Sequence, residues 1–218
     1  MHRSFWEIKE EKVNKVLKVL EKNQPILLKR VRELRKPRFV KARGVSELGS
    51  LVIVMYAAPK EVKRERIKNF LIRAPCIRLC RSVYAFSQNH LLFDKKSELV
   101  DAFKFSTFIR GIQGHVKVIP RVVAATAGSN ERLMQEIRRQ TEGKVSDIIE
   151  NCKELYRKAV NGDDAAPMRS SLSKNKKRLL ALKKVVTFHE KWVKVDFSRS
   201  SMRLYKAFKK VSSVVNRK

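Results

Sequence analysis

Apolar positions along the chain change their spacing several times, and each change predicts a new element. Over residues 7–22, Val13, Val16, Leu17 and Leu20 recur at i, i+3, i+4 and i+7, the signature of a helix with one apolar face. Pro25 interrupts the pattern, and Ile26 to Arg35 reads as a second helix or a kinked continuation. The stripe Leu17, Leu20, Gln24, Leu27, Val31 and Leu34 keeps three- and four-residue steps through the break, which suits a bent hairpin or a pairing helix. Lys36 to Arg43 is basic, contains Pro37 and reads as a linker. Leu51 to Ala58 is then apolar at every position, as in a central strand covered on both faces.

Pro59 sits at the favoured first position of a helix that turns Val62, Ile67, Phe70 and Leu71 inward and stops before Pro75. Residues 77–86 alternate as one strand: Ile77, Leu79, Val83 and Ala85 face one way, and Arg78, Cys80, Ser82, Tyr84 and Phe86 the other. Residues 87–89 read as a turn, and His90 to Phe93 as a short returning strand. A helix over 96–110, capped by Asp94 or Ser97, packs through Leu99, Phe103 and Phe108. Gly111 and Gly114 stop it, and 115–124 is a last strand. The order β-α-β-β-α-β predicts an α+β fold with a ferredoxin-like split sheet, its first and third strands central. Pro120 in the fourth strand suits an edge, where a missing ladder donor is tolerated.

The remainder reads as helical. Val145, Ile148, Ile149, Cys152, Leu155 and Tyr156 stripe a helix over roughly 130–160. Residues 161–175, with Pro167 and several serines, read as a loop. Two further helices carry Leu179, Leu182, Val186, His189 and Val193, then Leu204, Phe208, Val211 and Val215. The expected organisation is a basic N-terminal helical extension over 1–45, a ferredoxin-like domain over 50–126, and a helical C-terminal region over 129–218.

Charge changes the picture most. The 218 residues hold 51 Lys+Arg against 21 Asp+Glu, a formal net charge of +30. Such an excess repels itself in a compact fold, and a phosphate polymer would relieve the repulsion while releasing condensed counterions. Solubility alone needs a net charge of only about 2–8 in a small domain. At 43% hydrophobic residues the chain has material for a core, unlike a disordered basic tail. Three cysteines, Cys76, Cys80 and Cys152, make no even disulfide framework and fit a reducing interior. The longest apolar run, Leu51 to Ala58, is far short of a bilayer span, and Trp6 stands among charges where a signal peptide would be apolar. These features predict a cytoplasmic protein without membrane attachment.

Two basic clusters stand out. The first is Lys60, Lys63, Arg64, Arg66, Lys68, Arg73, Arg78 and Arg81, with only Glu61 and Glu65 among them. Like charges four residues apart, such as Arg64 and Lys68, destabilise a bare helix mildly, and a polyanion offsets that. The second is Arg169, Lys174, Lys176, Lys177, Arg178, Lys183 and Lys184, with no acidic residue between 165 and 189. Lys177, Lys184 and Lys191 repeat every seven residues opposite the apolar stripe, a row able to track a phosphate backbone. A solvated helix face explains the first cluster, and a flexible basic loop the first half of the second, without any ligand. The sheet face carrying Arg78, Tyr84 and Phe86 could stack bases, but cover by helices or a second subunit is the expected state.

Catalytic chemistry has no visible seat. Cys76 and Cys80 fall on one side of the expected strand, yet zinc wants four convergent ligands, and His2, His90, His115 and His189 are scattered. No glycine-rich phosphate loop or nucleophile elbow occurs. Neither a metal nor a cofactor is expected.

Residues 59–87, PKEVKRERIKNFLIRAPCIRLCRSVYAFS, carry a resemblance: a strand ends, a basic helix follows, and a strand reading RSVYAFS returns. This arrangement resembles the ferredoxin-like module of the small CRISPR-associated adaptor nucleases and the phenylacetate-operon repressors, and most of all the N-terminal region of ChrB-type chromate-resistance regulators. The resemblance implies a ferredoxin-like fold and nucleic acid as partner. In the nuclease relatives an aspartate ending the first strand binds metal, whereas this strand ends Tyr56-Ala57-Ala58. The expectation is therefore a non-enzymatic, dimeric DNA-binding regulator, with DNA favoured over RNA and the two sheets meeting each other. A metal-dependent nuclease and a structural scaffold in a nucleoprotein complex are the alternatives.

Overall fold

A computed structural model describes residues 4–20, 25–40, 45–62, 64–88, 98–161 and 165–215. A 3-10 turn at Glu10–Lys12 leads into α1 (Val13–Leu20). Short strands β1 (Leu28–Arg30), β2 (Arg38–Val40) and β3 (Val45–Glu47) follow, then the long strand β4 (Leu51–Ala57). Next come α2 (Arg64–Leu71), β5 (Cys76–Cys80), β6 (Val83–Ser87), α3 (Ala102–Gly111) and β7 (His115–Ala124). Three helices close the chain: α4 (Ala127–Val160), α5 (Ala165–Val193) and α6 (Ser198–Val215).

The fold is α+β. Its main sheet has five strands in the order β1-β7-β4-β6-β5, and every neighbouring pair is antiparallel. Because β4 lies at the centre, its side chains are covered above and below, which explains its apolar run. Leu51, Ile53, Ile77, Val83 and Ala85 point to one face and join a core with α4, α5 and α6. Val54, Cys76, Tyr84 and Phe86 point to the other and pack with α2 and α3. At the centre of that second core Phe105 is fully buried, 5.5–5.9 Å from the rings of Tyr56, Tyr84 and Phe86.

Several expectations change. Residues 77–86 are not one strand. They belong to the hairpin β5–β6, which turns at Arg81-Ser82 with Ser82 at φ 62°. Its register pairs Ile77 with Ala85 and Arg78 with Tyr84, residues of equal parity. Facing partners share a face, so apolar alternation runs through the turn as if none were there. The expected returning strand, His90 to Phe93, lies outside the described residues. Asp101, rather than Asp94 or Ser97, caps the following helix, its carboxylate accepting from the Lys104 N–H at 2.7 Å.

The segment read as a second helix, Ile26 to Arg35, contributes β1, and the expected linker contributes β2. Leu28, Lys29 and Arg30 pair with Ala124, Val123 and Val122, so β7 is not an edge over its last residues. Pro120 instead sits where the β4–β7 register shifts, next to Arg121 at φ 59°. Residues 165–175, expected as loop, form the start of α5; Pro167 falls in its first turn, where no intrahelical N–H bond is required. Finally, this chain's own helices pack on both faces of the central strands, where a partner sheet is expected from the sequence.

Candidate nucleic-acid interface

α2 is a short helix whose inward side is fixed by buried Ile67 and by Phe70, stacked on Phe108 with ring centroids 4.1 Å apart. That anchoring turns Arg64, Arg66 and Lys68 outward, with Arg73 just beyond the helix end. Two of these arginines keep their stems on the aromatic layer. The Arg66 guanidinium lies 5.7 Å from the Phe108 ring centroid, and that of Arg73 5.3 Å from Phe70. Lys60 is exposed before the helix, Arg78 is exposed on β5, and Arg81 is exposed at the hairpin turn. Lys63 lies outside the described residues.

α5 buries Met168, Leu172, Leu182, Val185, Val186 and Trp192. Its other side presents Arg169, Lys174, Lys176, Lys177, Lys183, Lys184 and Lys191 to solvent, with Arg178 half-buried at the margin. One contact ties this helix to α2, and a second ties it to the segment before α3, whose Val100 N–H donates to the Arg73 carbonyl at 3.0 Å. Arg178 Nη2 is 3.5 Å from Glu65 Oε1, and Lys184 Nζ donates to Glu98 Oε2 at 3.0 Å. The Lys184 hydrogen bond holds the Glu98 carboxyl below its usual range, and Arg73 adds to the effect. Going from Arg178 to Lys184 on α5 therefore follows α2 from Glu65 towards Arg73. The two clusters, far apart in sequence, are neighbours in space.

A further cationic face was not singled out from the sequence. On α6, Arg199, Arg203, Lys206 and Lys210 are exposed at four-, three- and four-residue steps, and Lys210 Nζ lies 4.5 Å over the Tyr156 ring. The signal was available, since residues 198–215 contain no carboxylate. Lys29, Arg35, Lys36 and Arg38 were also passed over, because their segments read as helix and linker.

The aromatic sheet face is core. Tyr84 and Phe86 are buried beneath Phe105, and burial raises the Tyr84 phenol well above its usual range. Nor do Cys76 and Cys80 share a face. The register shift between Arg78 and Cys80 sends Cys76 to the α2–α3 core and Cys80 to the other. Burial pushes the Cys76 thiol up to about 11, which keeps it protonated and unreactive. Among the described residues, no three His, Cys, Asp or Glu side chains are grouped closely enough to hold a metal ion. Among the same residues, no helix is long and apolar enough to cross a membrane. Comparison with family models, with curated proteins and with solved structures finds no match to this chain.

Proposed function

We propose that the chain is a non-enzymatic nucleic-acid-binding protein that meets phosphate backbone with the surface shared by α2 and α5. One observation carries this reading: the Arg178–Glu65 contact joins the two basic segments, and Lys184–Glu98 extends the flank to the segment beside Arg73. Within it, Glu61, Glu65 and Glu98 stand among a larger number of exposed lysines and arginines, so a polyanion gains where the free protein repels itself. DNA is the favoured partner, in a regulatory role, and the β4–β7 unit is read as a ferredoxin-like module in which helices rather than sheet meet the ligand. A homodimer would pair through helices or a sheet edge, the faces of the central strands being packed by the chain's own helices.

Where the nucleases this chain resembles place a metal-binding aspartate, β4 ends Tyr56-Ala57 with no carboxylate, and the Tyr56 ring packs edge-on to Phe105 at 5.5 Å. The reading is accordingly non-catalytic, and magnesium- or manganese-dependent cleavage that survives purification would overturn it. Fluorescence anisotropy on duplex DNA across a salt series tests the binding itself. On this reading log K falls linearly with log salt, by about 0.9 per phosphate contacted. A flat response would remove the electrostatic mechanism.

A further inference from the structure

A second cationic site lies at the opposite side of the sheet. There the edge strand β1, the β2–β3 pair and the start of α4 enclose a cavity of about 810 Å³, within the roughly 300–1,000 Å³ of small-molecule sites. Lys29, Arg35, Lys36 and Arg38 line it, against Glu47 and Glu131. Arg38 is already paired to Glu47 at 2.7 Å. That leaves three cations to one carboxylate on the walls.

These walls are fastened. Arg35 donates its backbone N–H to Ser50 Oγ at 2.8 Å and accepts from the Ser50 N–H at 2.8 Å. Close by, Gly49 adopts φ 70°, and a Cβ there would meet the Arg35 carbonyl oxygen at 2.6 Å. The segment bearing Arg35 and Lys36 is thus locked against the β3–β4 connection. Two residues of the first turn of α4 hold the other walls. Ser129 Oγ accepts from the Leu27 N–H at 2.8 Å, and buried Asn130 accepts from the Leu48 N–H and donates to the Ser46 carbonyl. Like charges carried on fixed backbone around a concavity make a partly preorganised anion site, because the ligand orders only their side chains. The positive end of the 34-residue α4, opening into the same cavity, adds to that field.

We propose that this cavity binds a phosphate monoester, and that the source is the terminal phosphate of a nucleic-acid strand. A doubly charged end group suits three cations in a recess better than does a singly charged internal diester, which suits an open flank. The choice of source rests on the nucleic-acid reading above; the phosphate chemistry of the cavity does not.

The test compares the full chain on one oligonucleotide sequence carrying a phosphate or a hydroxyl at its 5′ or 3′ end. One phosphorylated end is expected to bind about tenfold more tightly, the scale of one or two charge-assisted hydrogen bonds. The preference should vanish in Arg35→Ala/Lys36→Ala and persist in Lys177→Ala/Lys191→Ala. Equal affinity for all ends overturns the strand-end assignment. Calorimetric titration with a nucleoside monophosphate, done without any oligonucleotide, reads the cavity even if the α2–α5 flank binds nothing. Uptake that Arg35→Ala/Lys36→Ala abolishes supports the phosphate site. No uptake together with equal affinity for all ends overturns it.

Discussion

Arg178 on α5 reaches Glu65 on α2 at 3.5 Å, so a carboxylate from one basic segment is held by a guanidinium from the other. Each is solvent-accessible, and an exposed pair of this kind contributes little to stability, about 0–1 kcal/mol. Its larger effect is on field: Glu65 is an anion set within a cationic flank. Glu65→Gln is therefore expected to tighten binding to duplex DNA by about two- to fivefold, the scale of one such surface pair, with no loss of thermal stability. Weaker binding by this variant, measured by anisotropy at fixed salt, would contradict the proposed interface.

The lysine row of α5 gives a complementary test. Replacing Lys177 and Lys191 by alanine should lower affinity without unfolding the chain, since both are exposed. If each meets one phosphate, the slope of log K against log salt becomes shallower by about 0.9 per residue. An unchanged slope would place the contacts elsewhere, and the α6 face of Arg199, Arg203, Lys206 and Lys210 would be the next to vary.

Edge protection depends on one side chain. Gln140 of α4 accepts from the Arg78 N–H at 2.9 Å and donates to the Arg78 carbonyl at 2.8 Å, acting on β5 as a neighbouring strand would. Gln140→Ala removes both bonds, at about 0.5–1.5 kcal/mol each, and frees backbone for pairing between molecules. Lower denaturation midpoints and concentration-dependent association in light scattering are expected.

His189 sets a pH dependence. It is buried among Phe188, Trp192 and Phe197, with Nδ1 3.1 Å from Thr141 Oγ1 and, among the described residues, no hydrogen-bond partner at Nε2. Burial lowers its pKa from 6.5 to about 3, with Lys144 adding to the shift. The unfolded chain takes up this proton below about pH 6.5 and the folded chain does not, so stability falls as pH drops through that window. The loss approaches at most about 1.4 kcal/mol per pH unit. Chemical denaturation at pH 7.5 and 5.0 should show the decline in the wild type, and His189→Phe should flatten it.

Phe105 carries the α2–α3 core. Phe105→Ala is expected to cost about 3–5 kcal/mol and to lower the denaturation midpoint accordingly. Affinity per folded molecule should hold, because this side chain is remote from solvent.

Patterns along the chain located β4, β7, α4 and α6 closely, since each has a strong period and either length or a clear boundary. The β5–β6 turn was illegible for a definite reason. It has no glycine, asparagine or proline at Arg81-Ser82, and beyond the shift at Arg78–Cys80 its register pairs residues of equal parity, so neither punctuation nor phase marks it. β1 was misread because Leu27, Val31 and Leu34 have helical spacing. In the fold Leu34 is 59% exposed, and three residues pair with β7 through backbone alone. As for the candidate interface, its ingredients were legible as charge, but the adjacency of residues 64–73 and 174–191 is tertiary. The cavity cations were invisible because they converge only when β1 and β2 reach the start of α4.

α5 also serves as a spacer. Arg178 touches α2 from the middle of the helix, while Trp192, near its C-terminal end, donates its indole N–H to the Leu48 carbonyl, on the cavity wall, at 2.9 Å. At 1.5 Å per residue the helix sets these two points about 21 Å apart. Since successive phosphates of one strand advance roughly 3.4 Å along the axis of a duplex, a duplex lying along this helix passes about six phosphates of a strand between the two points.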